Sequence, residues 1–245
     1  MFPIKNAVPT RYPPVATWLL IGVNCVVFLF QIGLGPSGLE HFLSSFALIP
    51  ARYFEPVPGA EATSPVDYLP FLTNTFLHAG WLHLILNMWT LWLFGGVVED
   101  RLGHGRYLVF YLVCGVVASL AHAALNPEST VPALGASGAI AGVMGAFMAM
   151  FPLARVVVVV PIIFIPLFFQ LPAFVFVGVW FLINLLQGTV DLFAHSTGAG
   201  VAWWAHVGGF LAGIILAPLL KQPEWRYRSY YPDEGILGFD PRGRP

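Results

Sequence analysis

Long apolar runs separated by short polar breaks organise the chain. A hydrocarbon core of ~30 Å takes about 20 apolar residues per helical crossing, and on that ruler the runs lie at 14–33, 80–98, 106–125, 137–151, 172–188 and 203–220. Each predicts a transmembrane helix. The fourth run is short, about 22 Å of helix at ~1.5 Å per residue. With Pro152 and Arg155 pinning its inner end, its first residue, Ser137, is expected several ångström beneath the outer surface. The stretch 155–188 is long enough for two short spans, or for one span after a buried apolar connection. Pro161, Pro166 and Pro172 oppose a regular helix through its first half; the alternatives for 156–170 are a dip into the membrane or a path across its inner surface. The long connection 34–79 is rich in Pro and aromatics, and "FLSSFALIPARYF" within it predicts a short amphipathic helix on the interface. The chain thus divides into a cytoplasmic N-terminal segment (1–13), a six-helix membrane domain (14–220) and a polar, weakly ordered cytoplasmic tail (221–245).

Composition supports the membrane class: 58% of residues are hydrophobic and 9% charged, against ~25% charged in soluble proteins. The net charge is −1 and no basic run exceeds two residues, which sets nucleic-acid binding aside. The run 14–33 is too long for a signal-peptide core and has no obvious cleavage site, so it reads as an uncleaved first span. The compact build without a targeting presequence points to a prokaryotic cytoplasmic membrane. Cys25 and Cys114 both lie inside apolar runs and staple no loop.

Charge sets the parity, because short cytoplasmic loops carry excess Lys and Arg. Six spans with both termini inside gather Lys5, Arg11, Arg101, Arg106, Arg155, Lys221, Arg226, Arg228, Arg242 and Arg244 on one side, ten of the eleven basic residues, and leave only Arg52 outside.

Polar side chains inside spans are costly and become functional candidates by default. Span two begins "HAGWLHLILNMW", with His83 and Asn87 one helical turn apart on one face; His78, five residues before His83, is off that face. Span four begins at Ser137 and span six carries His206 within a turn of its start. All three spans enter from the outer face, so His83, Ser137 and His206 share a depth. In "GASGAIAGVMGAF" the small residues Gly138, Gly142, Gly145 and Ala146 permit close helix approach, and taken alone that motif reads as packing. Gly209 and Gly213 form a second small-residue face in span six, one turn from His206, so spans four and six can bring Ser137 against His206.

A serine becomes a nucleophile when an adjacent base takes its proton, and histidine suits that work. The Ser137 N–H, the His83 ring and the Asn87 amide can serve as oxyanion donors. No carboxylate falls near the outer ends of these spans, the nearest being Asp191 in the outer loop, which favours a Ser–His dyad over a triad. There is no HExxH motif for zinc and no pair of aspartates within spans. A water-filled cavity opening outward would satisfy the buried hydroxyl and imidazole.

The segments "HAGWLHLILN", "GASG" and "AHVGGFLAG", in that order, resemble the rhomboid family of intramembrane serine proteases from the first span to about Leu220. The resemblance implies an all-α, six-transmembrane-helix bundle with a long outer loop between helices 1 and 2. It implies Ser137 as nucleophile and His206 as general base. His83, Asn87 and the Ser137 amide would form the oxyanion hole, with Gly135 in the loop leading to the nucleophile and Gly138 beside it. It further implies hydrolysis of transmembrane protein substrates within the lipid bilayer, near their outer ends, without metal or organic cofactor. Two positions depart from the family pattern. Leu69 and Pro70 stand where many relatives have a Trp-Arg pair in the first loop. Ala141 stands where some stack an aromatic on the catalytic histidine. "GTVDLFAHSTGAGVAWW" resembles a mobile cap, with His195 solvated. His41, His104 and His122 read as structural or solvated, and Glu99 and Arg101 as packing residues. Two rival readings are an inactive scaffold that binds transmembrane helices and a transporter with a polar path. Retention of Ser137 and His206 counts against the first. The absence of an inverted repeat and of intramembrane carboxylates counts against the second.

Overall fold

The computed structural model describes residues 2–54, 64–162, 165–194 and 201–223. The first element is strand β1 (Phe2–Asn6). Helix α1 (Val15–Gly33) follows directly on Pro13 and Pro14. Its first-turn N–H groups have no acceptor inside the helix, and a distant carboxylate takes them. Glu99 Oε1 accepts from Ala16 N (2.8 Å), and Oε2 accepts from Thr17 N and Thr17 Oγ1 (2.7 Å each).

The first connection holds short helices α2 (Pro36–Phe46), α3 (Ala51–Phe54) and α4 (Pro70–Thr73), with 3-10 turns at Pro65–Tyr68 and Asn74–Phe76. Leu69 and Pro70 sit at the start of α4, Leu69 exposed and Pro70 buried. The connection is tied to the loop before Ser137 by a bridge between Leu48 and Ala133 and by the Gly135 N–H, which donates to Asn74 O at 2.9 Å.

Helices α5 (Trp81–Leu102) and α6 (His104–Leu125) meet at Gly103 alone. Gly103 has φ +81°, a left-handed conformation that costs a glycine little. Helix α7 (Ser137–Met150) is short, and every residue from Gly138 to Phe147 is buried by protein. The chain then leaves the helical pattern. Strands β2 (Arg155–Ile162) and β3 (Ile165–Pro172) form an antiparallel hairpin that pairs with β1 in the order β1-β2-β3. Helices α8 (Ala173–Ala194) and α9 (Trp203–Leu220) complete the fold.

Among the described residues α1, α5, α6, α8 and α9 are long and apolar enough to cross a membrane, and α7 is a shorter apolar helix. The chain is therefore a mostly helical, multi-pass membrane protein. Helix α7 is its centre, walled by α5, α6, α8 and α9. Against α9 the contact is backbone to backbone: a Cβ on Gly209 would strike the Gly138 carbonyl oxygen, and one on Gly213 the Gly142 carbonyl oxygen.

Three features differ from the sequence expectation. Residues 2–6, 155–162 and 165–172 form a sheet, because "RVVVVV" is rich in β-branched residues and alternates in burial, with Val156 and Val158 buried between partly exposed neighbours. Helix α8 runs to Ala194, so Asp191 and the first seven residues of the expected cap are helical rather than loop. Helix α5 extends four residues past the expected end at 98. His195, the rest of the cap before Val201 and most of the C-terminal tail lie outside the described residues.

Candidate active site

Helices α5, α7 and α9 begin at the same end of the bundle, so their first turns converge. Ser137 is the first residue of α7, and its N–H is one of the first-turn donors that no helical carbonyl can accept. Its Oγ lies 2.8 Å from His206 Nε2. His206 is buried one turn into α9. The glycine contacts between α7 and α9 allow this pairing, since no side chain holds the two backbones apart.

On the other side of Ser137 is His83, in the first turn of α5. Gly135, at φ +133°, brings the backbone so close that a Cβ there would sit 2.8 Å from His83 Cε1 and Nε2 and 3.6 Å from Ser137 Oγ. His83 Nδ1 accepts a long bond from Ala79 N (3.4 Å). That nitrogen therefore carries the lone pair, and Nε2 carries the hydrogen, directed at the Gly135–Ser137 turn. Asn87, one turn further, is buried, and its Nδ2 has no hydrogen-bond partner among the described residues. A cavity of about 20 Å³ adjoins Ser137, lined by Asn74, Thr75, Ser119 and His122 among mostly small apolar residues; it has room for one water and polar groups to hold it.

Helix α8 contributes two residues that the sequence reading passed over. Asn184 Oδ1 lies 2.6 Å from His206 Nδ1, and the Trp180 ring lies 5.6 Å from the His206 ring at 35°. The aromatic neighbour that Ala141 does not provide comes instead from α8, with Trp203 edge-on at 6.3 Å. The signal was present: a Trp and an Asn four residues apart inside an apolar span. No local spacing ties that pair to His206, which lies 22 residues on from Asn184 in another helix. His78 precedes α5, and its ring meets that of His83 at 5.2 Å. Glu99 and His104 sit at the opposite end of α5, 2.5 Å apart.

The surroundings suit acyl transfer. A hydroxyl faces an imidazole, the imidazole is held on its far side, and N–H donors converge beside the hydroxyl. No cluster of three metal-ligating side chains occurs among the described residues.

Several known proteins are similar to this chain. The chain is 32% identical over 139 residues to the rhomboid protease GluP of Bacillus subtilis, covering 55% of this chain and 24% of that protein. It is 28% identical over 214 residues to rhomboid protein 1, mitochondrial, of Saccharomyces cerevisiae (83% and 53%). Against the human presenilin-associated rhomboid-like protein, mitochondrial, it is 28% identical over 186 residues (73% and 44%). The chain thus spans between a quarter and about half of the length of these relatives. The Rhomboid domain is matched across residues 66–223, more than half the chain and the part that carries Ser137, His206, His83 and Asn87, and the protein belongs to the rhomboid family.

Proposed function

We propose that this protein is an intramembrane serine endopeptidase that cleaves transmembrane helices of other membrane proteins through Ser137 and His206. The observation that carries the reading is the 2.8 Å approach of Ser137 Oγ to His206 Nε2 in a buried, largely apolar setting. In the proposed reaction His206 Nε2 takes the Ser137 proton as Oγ bonds to the scissile carbonyl carbon. The oxyanion is met by the Ser137 N–H, His83 Nε2–H and Asn87 Nδ2. The protonated Nε2 then delivers its proton to the leaving nitrogen, the C–N bond breaks, and an ester to Ser137 remains. Water attacks that ester, passes a proton to Nε2, and the serine is regenerated.

The short α7 supports a hexahelical domain in which it crosses only part of the bilayer, with Ser137 below one surface. The basic residues support both termini on the cytoplasmic side of a cell membrane, or on the equivalent side of an organelle membrane, with the site opening to the other face.

The decisive comparison is wild type against Ser137→Ala, reconstituted with a fluorescently labelled transmembrane substrate and a fluorophosphonate probe. Wild type is expected to cleave and to be labelled. Ser137→Ala is expected to do neither, and His206→Ala to lose turnover. Equal behaviour of wild type and Ser137→Ala overturns the proposal.

A further inference from the structure

The far side of His206 is fixed by a sequence of hydrogen-bond roles that begins at the backbone. The Trp180 carbonyl can only accept, and Asn184 Nδ2 donates to it at 2.7 Å. A reversed amide would set oxygen against oxygen, so Oδ1 must point the other way, to His206 Nδ1 at 2.6 Å. An amide oxygen also only accepts, so Nδ1 carries the hydrogen. A neutral imidazole has one N–H, which leaves the lone pair on Nε2, 2.8 Å from the Ser137 hydroxyl.

We infer that Asn184 is a positioning residue: its amide, oriented by the Trp180 carbonyl, holds His206 in the Nδ1–H tautomer that can accept the Ser137 proton. The kinetic part of this assignment rests on the protease reading; the tautomer does not. Asn184 is 3% exposed, and an unpaired carboxylate buried that deeply would be costly. An amide orients the ring without a charge, and it still accepts from Nδ1 when Nε2 is protonated. His83 is the counterpart, since a backbone donor at its Nδ1 selects the opposite tautomer and makes Nε2 a donor. The Trp180 ring, on the same face of α8 one turn before Asn184, packs beside the imidazole.

Two measurements on the full chain test this. In ¹⁵N-histidine NMR of the reconstituted protein, with the His206 signal assigned by its loss in His206→Gln, the neutral ring is expected to show Nδ1–H and an unprotonated Nε2. Asn184→Leu keeps the branched shape and removes the acceptor. It is expected to lose the Nδ1–H preference and to lower kcat about 10²-fold. That lies between the cost of losing an orienting partner (~10–100-fold) and that of a wrong tautomer (~10⁴-fold). KM is expected to stay within about twofold. Asn184→Asp keeps an acceptor for Nδ1 and, as the neutral acid, an O–H donor for the Trp180 carbonyl; in that form it should retain Nδ1–H and recover kcat to within about tenfold of wild type. A wild-type His206 carrying Nε2–H overturns the inference, as does wild-type kcat in Asn184→Leu. If Asn184→Leu does not fold, Asn184→Ala and the wild-type spectrum provide the same test. A wild type that neither cleaves nor takes the fluorophosphonate would sink the protease reading, while the spectrum still decides the tautomer.

Discussion

His78 is 2% exposed, yet neither ring nitrogen has a hydrogen-bond partner among the described residues. Burial, and secondarily the nearby His83, lower its pKa from 6.5 to about 4, so the folded state favours the neutral ring. The sign follows: a folded value below the unfolded one means that the neutral ring's contribution is intact above pH ~6.5 and is lost as the pH falls through about 4. At ~1.36 kcal/mol per unit the loss reaches about 3 kcal/mol. His78→Gln in detergent is therefore expected to lose less thermal stability than wild type between pH 6.5 and pH 4, read as the difference in Tm. Parallel curves for the two proteins would contradict this. At this scale the sequence was informative where a polar residue interrupts an apolar run. The helical spacing of His83 and Asn87 and the first-turn positions of Ser137 and His206 were all readable. Asn184 was equally visible as a polar residue in a span, but its partner lies 22 residues on in another helix, and no local spacing connects them.

At the scale of elements, the small residues of "GASGAIAG" and "AHVGGFLAG" serve packing and chemistry together. Because a Cβ on Gly209 would strike the Gly138 carbonyl oxygen, Gly209→Ala must push α9 away from α7 or tilt it. Overpacking of this kind costs about 1–3 kcal/mol, and a displacement near 1 Å at the reacting atoms can cost ~10²-fold in rate. Gly209→Ala is thus expected to slow fluorophosphonate labelling of Ser137 by more than about tenfold. Gly178→Ala, on α8 where nothing lies within 4 Å of an added Cβ, is expected to label at the wild-type rate. Equal rates for the two variants would show that the close approach does not position the dyad. The helix starts were legible to within two residues, because apolar runs open after Gly, Pro or charge. The sheet was not, because a continuous run of five valines hides the alternation that separates Val156 and Val158 from their neighbours, and its partner β1 lies about 150 residues away. The extension of α8 to Ala194 was hidden by "GTVD", whose Gly and Thr read as loop. In the helix, Thr189 Oγ1 instead donates back to Leu185 O at 2.7 Å.

Across the whole molecule the two ends of α5 do different work, and they can be separated by one substitution. The end with His83 faces Ser137. The other end carries Glu99, 1% exposed, which accepts from Ala16, Thr17 and the Thr17 hydroxyl, while Asp100 Oδ1 accepts from the Arg11 and Tyr12 N–H groups. These bonds attach the start of α1 to the body of the bundle, beside a cavity of about 460 Å³ lined by Arg11, Asp100, His104 and Gln222 among others. Bonds to a charged group contribute ~1.5–3 kcal/mol each, and buried donors left unmet cost ~1–3 kcal/mol. Glu99→Ala is therefore expected to destabilise the protein by about 3–5 kcal/mol, measured by thermal unfolding in detergent. Glu99→Gln keeps one acceptor oxygen and should lose less. Below their melting transitions both variants should retain the wild-type kcat within about twofold, because the bonds of Glu99 lie at the end of α5 opposite to His83. A Glu99→Ala protein with unchanged Tm would refute the anchoring role. One with normal Tm but lost turnover would show that the far end of α5 acts on the site after all.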